Sequence, residues 1–297
     1  MTMPSRDQPR MGRMPSQIEQ GLRALGRVID PPATAALYAP LHESEPYSGV
    51  KVTRDLRYGP ADRHRLDVFT AQGARGPLPV LMFVHGGGFV AGDKNTEGSP
   101  FYDNVPLWAA RHGLVGVNMT YRLAPQFMWP AGSEDVGAAV RWIADNASAH
   151  GGDPTRIFVF GHSAGAAHVA AYLAEHEDGQ RPALAGAILM SGIYDLTSLG
   201  PEGSYRSYYG DDPARYAERS PLPGLVRTSL PLLIVTAELD PQRFIDQSEA
   251  LCAALSARPA GGHQYVHLPK HSHISEGYAI GTDDTVLTDE ILEFVGP

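Results

Sequence analysis

The sequence contains one cysteine, Cys252, among 297 residues. An intrachain disulfide therefore cannot form, and a metal site that needs several cysteine ligands is excluded. A lone cysteine is usually a small, buried and unreactive side chain. We expect Cys252 to occupy such a position on a helix over residues 247–254.

Long apolar runs and an excess of positive charge are also missing. No apolar run approaches the roughly 20 residues that cross a bilayer, and the N-terminus lacks the apolar stretch of a secretory signal. The formal net charge is −9, whereas a nucleic-acid-binding protein needs a basic face. We therefore expect a cytoplasmic protein that binds a small molecule rather than nucleic acid or a membrane. A homo-oligomer is compatible with the sequence.

The order of apolar segments predicts one large α/β domain. Apolar residues make up 43% of the chain, which is enough to form a sizeable core. Two early strands precede a series of buried strands that alternate with helices, which is typical of a mainly parallel, doubly wound sheet with helices on both faces. The predicted strands are 49–57, 65–71, 79–84, 114–118, 157–160, 184–190, 232–235 and 264–268, and the clearest helices are 133–145 and 164–174.

Residues 1–45 differ from the rest of the chain. They are rich in proline and arginine at first, and then apolar side chains recur every three or four residues over 16–27. This spacing predicts one amphipathic helix. We predict that residues 1–45 form a tail with a small cap helix, and that residues 46–297 form the catalytic domain.

The pentapeptide GHSAG at 161–165 is the first candidate for catalysis. By chance a chain with this much glycine contains about 0.2 such G-x-S-x-G patterns, so the context must decide. A predicted strand ends just before Ser163 and a predicted helix begins just after it. This strand–turn–helix arrangement is the geometry of a nucleophile elbow, and the sharp turn requires minimal side chains at Gly161 and Gly165.

A second glycine-rich segment, HGGGF at 85–89, follows the predicted strand 79–84. Acyl transfer develops negative charge on the former carbonyl oxygen, and backbone N–H groups aimed at that oxygen stabilise it. Three successive glycines allow the backbone to approach closely. The segment lacks the Lys-Ser/Thr of a phosphate-binding P-loop and the G-x-G-x-x-G spacing of a dinucleotide site.

A serine nucleophile needs a histidine base and an acid that orients the base. Where such an elbow is used, the acid and then the histidine follow the serine in the chain. Glu238 and Asp240 both follow the predicted strand 232–235. The proline after Asp240 fixes the turn before the next helix, which favours Asp240. Asp195 is a third candidate, and we expect it to cap a loop instead.

Four histidines surround the last predicted strand. His263 and His267 share one face of that strand and are expected to pack or to face solvent. His271 and His273 lie in the loop that follows, and either could be the base. A metal site formed by these two lacks a further histidine or carboxylate cluster upstream. We therefore expect neither a metal ion nor another cofactor.

Together these segments resemble the α/β-hydrolase fold carboxylesterases, in particular the hormone-sensitive-lipase-like and bacterial feruloyl-esterase-like branches. The ordered motifs cover residues 80–170, and a looser resemblance extends over 50–297. The matching segments are HGGGF at 85–89, YRLAP at 121–125, PAGSED at 130–135, GGDP at 151–154 and GHSAG at 161–165.

The resemblance implies a catalytic triad, an oxyanion hole and two supporting side chains. The implied triad is Ser163 as nucleophile, Asp240 as acid and His273 as base. The implied oxyanion-hole donors are the N–H groups of Gly87, Gly88 and Ala164. The implied supports are His85 and Asp135.

Two segments depart from the lipase-like branch. The elbow has His162 where that branch usually has aspartate, and the histidine segment at 271–274 reads HSHI instead of the usual His-x-Phe. Both departures are similar to the feruloyl-esterase-like and arylformamidase-like branches. The substrate class is therefore left open by the resemblance.

We expect a serine esterase that cleaves small carboxylic esters through an acyl-enzyme. The alternatives are an amidase or arylformamidase with the same triad, a non-catalytic ligand receptor on the same fold, and a metal-dependent hydrolase. From the aromatic residues in the loops we single out Phe89, Trp129 and Tyr208 as substrate-binding. The wider set of aromatic candidates also contains Phe101, Tyr102, Phe127, Tyr205 and Tyr209.

Overall fold

The computed structural model of the chain describes residues 14–175, 182, 184–257 and 262–296. Residues 1–13, the first part of the predicted N-terminal tail, lie outside the described residues. None of the helices within the described ranges has the length and apolar character needed to cross a membrane.

Eight strands form one sheet in the order β1-β2-β4-β3-β5-β6-β7-β8. β2 pairs antiparallel with β1 and β4, and the pairs from β4 through β3 to β8 are parallel. The prediction of a mainly parallel, doubly wound sheet is confirmed. The strands are β1 (Val50–Arg57), β2 (Arg65–Ala71), β3 (Leu78–Val84), β4 (Val115–Met119), β5 (Gly152–His162), β6 (Leu184–Met190), β7 (Leu232–Leu239) and β8 (His263–Ser272).

Helices connect the parallel strands and cover both faces of the sheet. Side chains alternate along β3, so Val80 and Met82 face one apolar cluster while Leu81 and Phe83 face another. This burial on both faces explains the continuous apolar runs in the sequence. The helices are α1 (Ser16–Leu25), α2 (Pro31–Tyr38), α3 (Asn104–Arg111), α4 (Ala131–Asn146), α5 (Ala164–Glu175), α6 (Gly203–Tyr209), α7 (Tyr216–Arg219), α8 (Leu222–Leu225), α9 (Gln242–Ser256), α10 (Ser275–Tyr278) and α11 (Val286–Val295).

β7 and β8 are longer than the apolar pattern predicts. Their parallel pairing continues past the apolar runs, with Thr236 opposite His267 and Leu239 opposite Ser272. The ladder hydrogen bonds therefore extend both strands to the edge of the sheet where the candidate acid and base lie. Cys252 lies on α9 and is half-buried, rather than fully buried as expected.

The N-terminal helices pack against the carboxyl-end edge of the sheet. α1 contributes Ile18 and Leu22, and α2 contributes Tyr38, to an apolar cluster that also contains Phe101 and Tyr278. Polar contacts add to this packing, since Arg23 and Glu19 on α1 form ion pairs with Glu238 and Lys270. The division into a cap and a catalytic domain at residue 45 stays a prediction.

Candidate active site

Ser163 occupies the sharp turn between β5 and α5. Its φ angle is 55°, a left-handed conformation that L-residues rarely adopt. A Cβ at Gly161 would lie 2.5 Å from the Gly165 carbonyl oxygen, and a Cβ at Gly165 would lie 2.0 Å from that of Val84. Because backbone atoms cannot move aside, both positions require glycine. The turn thus holds the Ser163 hydroxyl at the end of the central strand.

The structure brings Ser163, His273 and Asp240 into one hydrogen-bonded series. The Ser163 hydroxyl donates to His273 Nε2 across 2.8 Å. The other ring nitrogen of His273, Nδ1, donates to Asp240 Oδ1, also across 2.8 Å. This tautomer leaves Nε2 unprotonated, which is the form that can accept the serine proton. The ring of Phe244 stacks on the imidazole with the centroids 4.2 Å apart.

Asp240 is completely buried and has two further hydrogen-bond donors. Its Oδ2 accepts from the Ser191 hydroxyl at 2.7 Å and from the Ala237 N–H at 2.8 Å. Burial alone would raise the pKa of Asp240. The hydrogen bonds from His273, Ala237 and Ser191 outweigh burial, so the pKa lies below its ordinary value and the carboxylate stays ionised.

The competing candidates have other partners. Glu238 accepts a hydrogen bond from the Lys270 N–H at 2.7 Å and pairs with Arg23. His271 Nε2 lies 3.1 Å from Asp284 Oδ2. Asp195 caps the turn at Leu196–Ser198. None of these three candidates, Glu238, His271 and Asp195, takes part in the hydrogen-bonded series that contains Ser163.

The glycine segment after β3 lines the same cavity as Ser163. Gly87 and Gly88 have φ angles of 129° and 58°, and a Cβ at Gly87 would lie 2.0 Å from the Ala91 carbonyl oxygen. Gly87, Gly88 and Ala164 all lie on the cavity wall beside the serine. The main chain of all three residues therefore lies beside the Ser163 hydroxyl.

Two buried side chains hold the loops around these glycines. His85 Nδ1 lies 2.6 Å from the Gly86 carbonyl oxygen, and its ring stacks on Tyr121. Asp135 accepts hydrogen bonds from the Arg122 N–H at 2.7 Å and from His64 Nε2 at 2.9 Å. The His85 ring thus joins the glycine segment to the segment after β4, and Asp135 joins that segment to α4 and to His64 before β2.

Burial keeps three histidines of this region neutral. We call them the buried histidines: His85, His162 and His168. Desolvation lowers the pKa of His85 to about 4 and the pKa values of His162 and His168 to about 3. They therefore add no positive charge beside the candidate base at neutral pH.

A cavity of about 720 Å³ opens above Ser163 and His273. Its wall is mainly apolar, which suits a small organic substrate. Residues of α2 form one side of it. Wall residues that the sequence analysis did not identify include Ile29, Pro31, Pro32, Ala35, Ile193, Phe244, Ile274 and Tyr278.

The predicted substrate-binding aromatics divide into two groups. Phe89 lines the cavity, as do Phe101, Tyr102 and Tyr205. Trp129 and Tyr208 do not line it, which corrects the expectation that they contact substrate. The Trp129 ring lies against Arg219 at a separate depression. Tyr208 is buried and stacks behind Phe89, with the ring centroids 4.7 Å apart.

Within the described ranges, His162, His273 and Glu276 form a group whose possible metal-ligand atoms lie within 4.8 Å of one another. Both ring nitrogens of His273 already bond to Ser163 and Asp240. A metal ion bound to His273 would therefore break the series that joins the serine to the acid.

Comparisons with known proteins agree with this geometry. A protein-family model described as an alpha/beta hydrolase fold matches residues 81–274. Esterase LipQ of Mycobacterium tuberculosis (strain ATCC 25618 / H37Rv) is 30% identical over 268 residues, which are 82% of this chain and 62% of LipQ. Carboxylesterase NlhH of the same strain is 45% identical over 96 residues, 31% of this chain and 27% of NlhH. The chain thus spans about three-fifths of the length of LipQ and a smaller part of NlhH.

Two solved structures share the fold at low sequence identity. Esterase B from Lactobacillus rhamnosis, with a tributyrin phosphonate, has a TM-score of 0.70 at 17% identity, over 94% of this chain and 90% of that chain. The hyperthermophilic esterase from Pyrobaculum calidifontis has a TM-score of 0.66 at 23% identity, over 95% of this chain and 100% of that chain.

Proposed function

Because the chain belongs to the alpha/beta-hydrolase fold family, we propose that it is a carboxylic ester hydrolase with Ser163 as its nucleophile. The observation that carries this proposal is the hydrogen-bonded series from Ser163 through His273 to Asp240, at 2.8 Å for each contact. The two relatives named above are an esterase and a carboxylesterase by name, which supports ester hydrolysis over other reactions of the fold.

In the first half of the reaction, the Ser163 oxygen attacks the ester carbonyl carbon while His273 Nε2 accepts the serine proton. The carbonyl oxygen becomes negatively charged, and the N–H groups of Gly87, Gly88 and Ala164 donate hydrogen bonds to it. The ionised Asp240 stabilises the imidazolium that forms. The C–O bond to the leaving alcohol then breaks, and His273 gives its proton to the alcohol oxygen.

In the second half, water replaces the alcohol. His273 accepts a proton from the water as the water oxygen attacks the acyl carbon on Ser163. The same oxyanion donors stabilise the second tetrahedral intermediate. When the bond to Ser163 breaks, His273 returns its proton to the serine oxygen and the carboxylic acid product leaves. No cofactor takes part in this scheme.

The cavity wall supports a small ester with an apolar acyl or alcohol group. The walls near Ser163 are formed by glycines and aromatic rings, including Phe89, Phe101 and Phe244. A volume of about 720 Å³ accommodates a small aromatic or short-chain ester. An amide could enter the same site, so the relative rates on esters and amides must be measured.

The test compares the wild-type chain with Ser163→Ala on p-nitrophenyl butyrate and on the matched butyranilide. We expect the wild type to hydrolyse the ester much faster than the anilide, and Ser163→Ala to lose at least 10³-fold in kcat. Ser207→Ala is the matched control, because its hydroxyl bonds a carbonyl of its own helix outside the site.

A fluorophosphonate probe gives an independent readout. It should label the wild type and Ser207→Ala but not Ser163→Ala. Near-full activity of Ser163→Ala would refute the assignment of the nucleophile. Absence of labelling, together with no turnover of any ester or amide, would favour a ligand receptor, and faster anilide turnover would favour an amidase.

A further inference from the structure

Glu276 is a buried acid that the proposed mechanism does not use. It lies on α10, three residues after His273, and its side chain is fully excluded from solvent. Within the described part of the chain, neither of its carboxyl oxygens has a hydrogen-bond partner of good geometry. An ionised carboxylate in such a place would be strongly destabilised, because burial removes its hydration without a compensating donor.

The carboxyl group lies against the residue that precedes the nucleophile. Glu276 Oε1 is 3.3 Å from His162 Nε2. The same nitrogen donates a hydrogen bond to the main-chain carbonyl of His273 across 2.7 Å. The His162 ring therefore connects the nucleophile elbow to the loop that carries the base, and the Glu276 carboxyl lies beside that contact.

Asp240 and Ser191 decide which charge Glu276 can carry. The single hydroxyl proton of Ser191 is donated to Asp240. Ser191 lies beside Glu276 and acts to lower the pKa of Glu276, but its one proton is already donated to Asp240, and its effect is smaller than that of burial. An ionised Glu276 would face the negative charge of Asp240. The pKa of Glu276 is accordingly raised well above its ordinary value by burial and by Asp240.

No cation offsets this environment within the described ranges. The other titratable groups that act on Glu276 or feel its charge are His162, Tyr102 and Tyr194, besides the adjacent His273. His162 is neutral because burial lowers its pKa to about 3. Burial raises the pKa of both tyrosines, so they stay neutral as well.

We propose that Glu276 is a positioning residue that works as a neutral carboxylic acid, fixing the His162 ring that holds the main chain of His273. It completes the packing behind the base without adding a second negative charge beside Asp240. The inference rests on the proposed function, because the role given to Glu276 is to position His273, the base of that reaction.

The test compares wild type, Glu276→Gln and Glu276→Ala by kcat and KM on p-nitrophenyl butyrate from pH 5 to 9. Glutamine has the size of the neutral acid and no charge, whereas alanine leaves a cavity. We expect Glu276→Ala to lose about 10- to 100-fold in kcat, with KM changed less than threefold, because small misplacement of a base is costly. Glu276→Gln should recover most of that loss and keep the acid limb of the profile unshifted.

A bulk-charge effect is controlled by Glu249→Gln, which removes one exposed acid from α9. If Glu276 is ionised in the wild type, Glu276→Gln removes a negative charge. A carboxyl oxygen of Glu276 lies within 4.8 Å of a ring nitrogen of His273. The midpoint of the acid limb would then fall by roughly two pH units at an effective dielectric of about 20. Such a shift, absent from Glu249→Gln, would overturn the neutral acid.

Full kcat in Glu276→Ala would overturn the positioning role. If Glu276→Ala does not fold, as judged by thermal unfolding, the pH profile and kcat of Glu276→Gln decide alone: a loss above tenfold in Glu276→Gln would also contradict the proposal. Fluorophosphonate labelling of the wild type reports on Ser163 separately, so failure of the proposed function would be recognised on its own.

Discussion

Replacing Asp240 with asparagine tests the acid at nearly constant shape. In the wild type, Oδ1 accepts one hydrogen bond from His273, and Oδ2 accepts two, from Ser191 and Ala237. An asparagine has only one oxygen, and it satisfies more donors by facing Ser191 and Ala237. Its NH₂ group then faces His273 Nδ1, which must become an acceptor.

This exchange changes the protonation of the base. With Nδ1 as an acceptor, the proton of a neutral His273 moves to Nε2, and Nε2 can no longer accept the Ser163 proton. The negative charge that stabilises the imidazolium is lost as well. Two unit charges about 4 Å apart at an effective dielectric of about 20 interact by about 4 kcal/mol. We therefore expect Asp240→Asn to lose about 10³-fold in kcat.

The assay is ester hydrolysis at pH 8, with thermal unfolding to confirm that each variant is folded. Glu238→Gln is the matched control, because Glu238 lies two residues away, carries the same charge and pairs with Arg23 instead. We expect this control to stay within threefold of the wild type. A loss below tenfold in Asp240→Asn, or an equal loss in Glu238→Gln, would refute the assignment of the acid.

Two further predictions concern histidines. His273→Ala should lose at least 10³-fold in kcat, whereas His271→Ala should remain active. His271→Ala should instead lose about 1–3 kcal/mol of unfolding free energy, because Asp284 would stay buried without its partner. The reverse pattern of activities would show that His271 is the base. The free energy of unfolding should fall as the pH drops from about 6.5 towards 4, because the buried histidines have a lower pKa in the folded chain than in the unfolded chain. The unfolded chain therefore takes up the protons first, and each of the three histidines should lower the free energy of unfolding by about 2 kcal/mol at pH 5. Urea titrations at pH 7.5, 6 and 5 measure this loss, and an unchanged midpoint would contradict it.

The parts of the site that are local in the chain could be predicted from the sequence. The elbow at 161–165 and the loop at 85–89 each need glycines at fixed positions, because a Cβ would collide with backbone atoms a few residues away or on a neighbouring strand. Such steric requirements can be recognised in the sequence as glycines at fixed positions. The apolar runs likewise predicted the six strands β3 to β8, since a doubly covered sheet needs continuous apolar segments.

The base and the cavity wall could not be predicted in the same way. His271 and His273 are two residues apart, so no local periodicity separates them. The difference lies in distant partners, Asp284 for one and Asp240 for the other. Trp129 and Tyr208 are aromatic residues that we expected in loops around the site, yet the fold places them away from the cavity.

The attachment of the N-terminal helices has a consequence for heat inactivation. α2 supplies part of the cavity wall. Glu19 on α1 pairs with Lys270, and Arg27, two residues after α1, donates to the Asp240 carbonyl oxygen at 3.4 Å. Partly exposed contacts of this kind contribute at most about 1 kcal/mol each and add to the small apolar cluster of Ile18, Leu22 and Tyr38. Ser163, His273 and Asp240 instead lie at the end of a sheet that is covered on both faces. Local opening of the N-terminal segment therefore requires less free energy than melting of the sheet. On warming, the chain should lose this cavity wall, and with it the proposed ester turnover, several degrees before it loses its secondary structure.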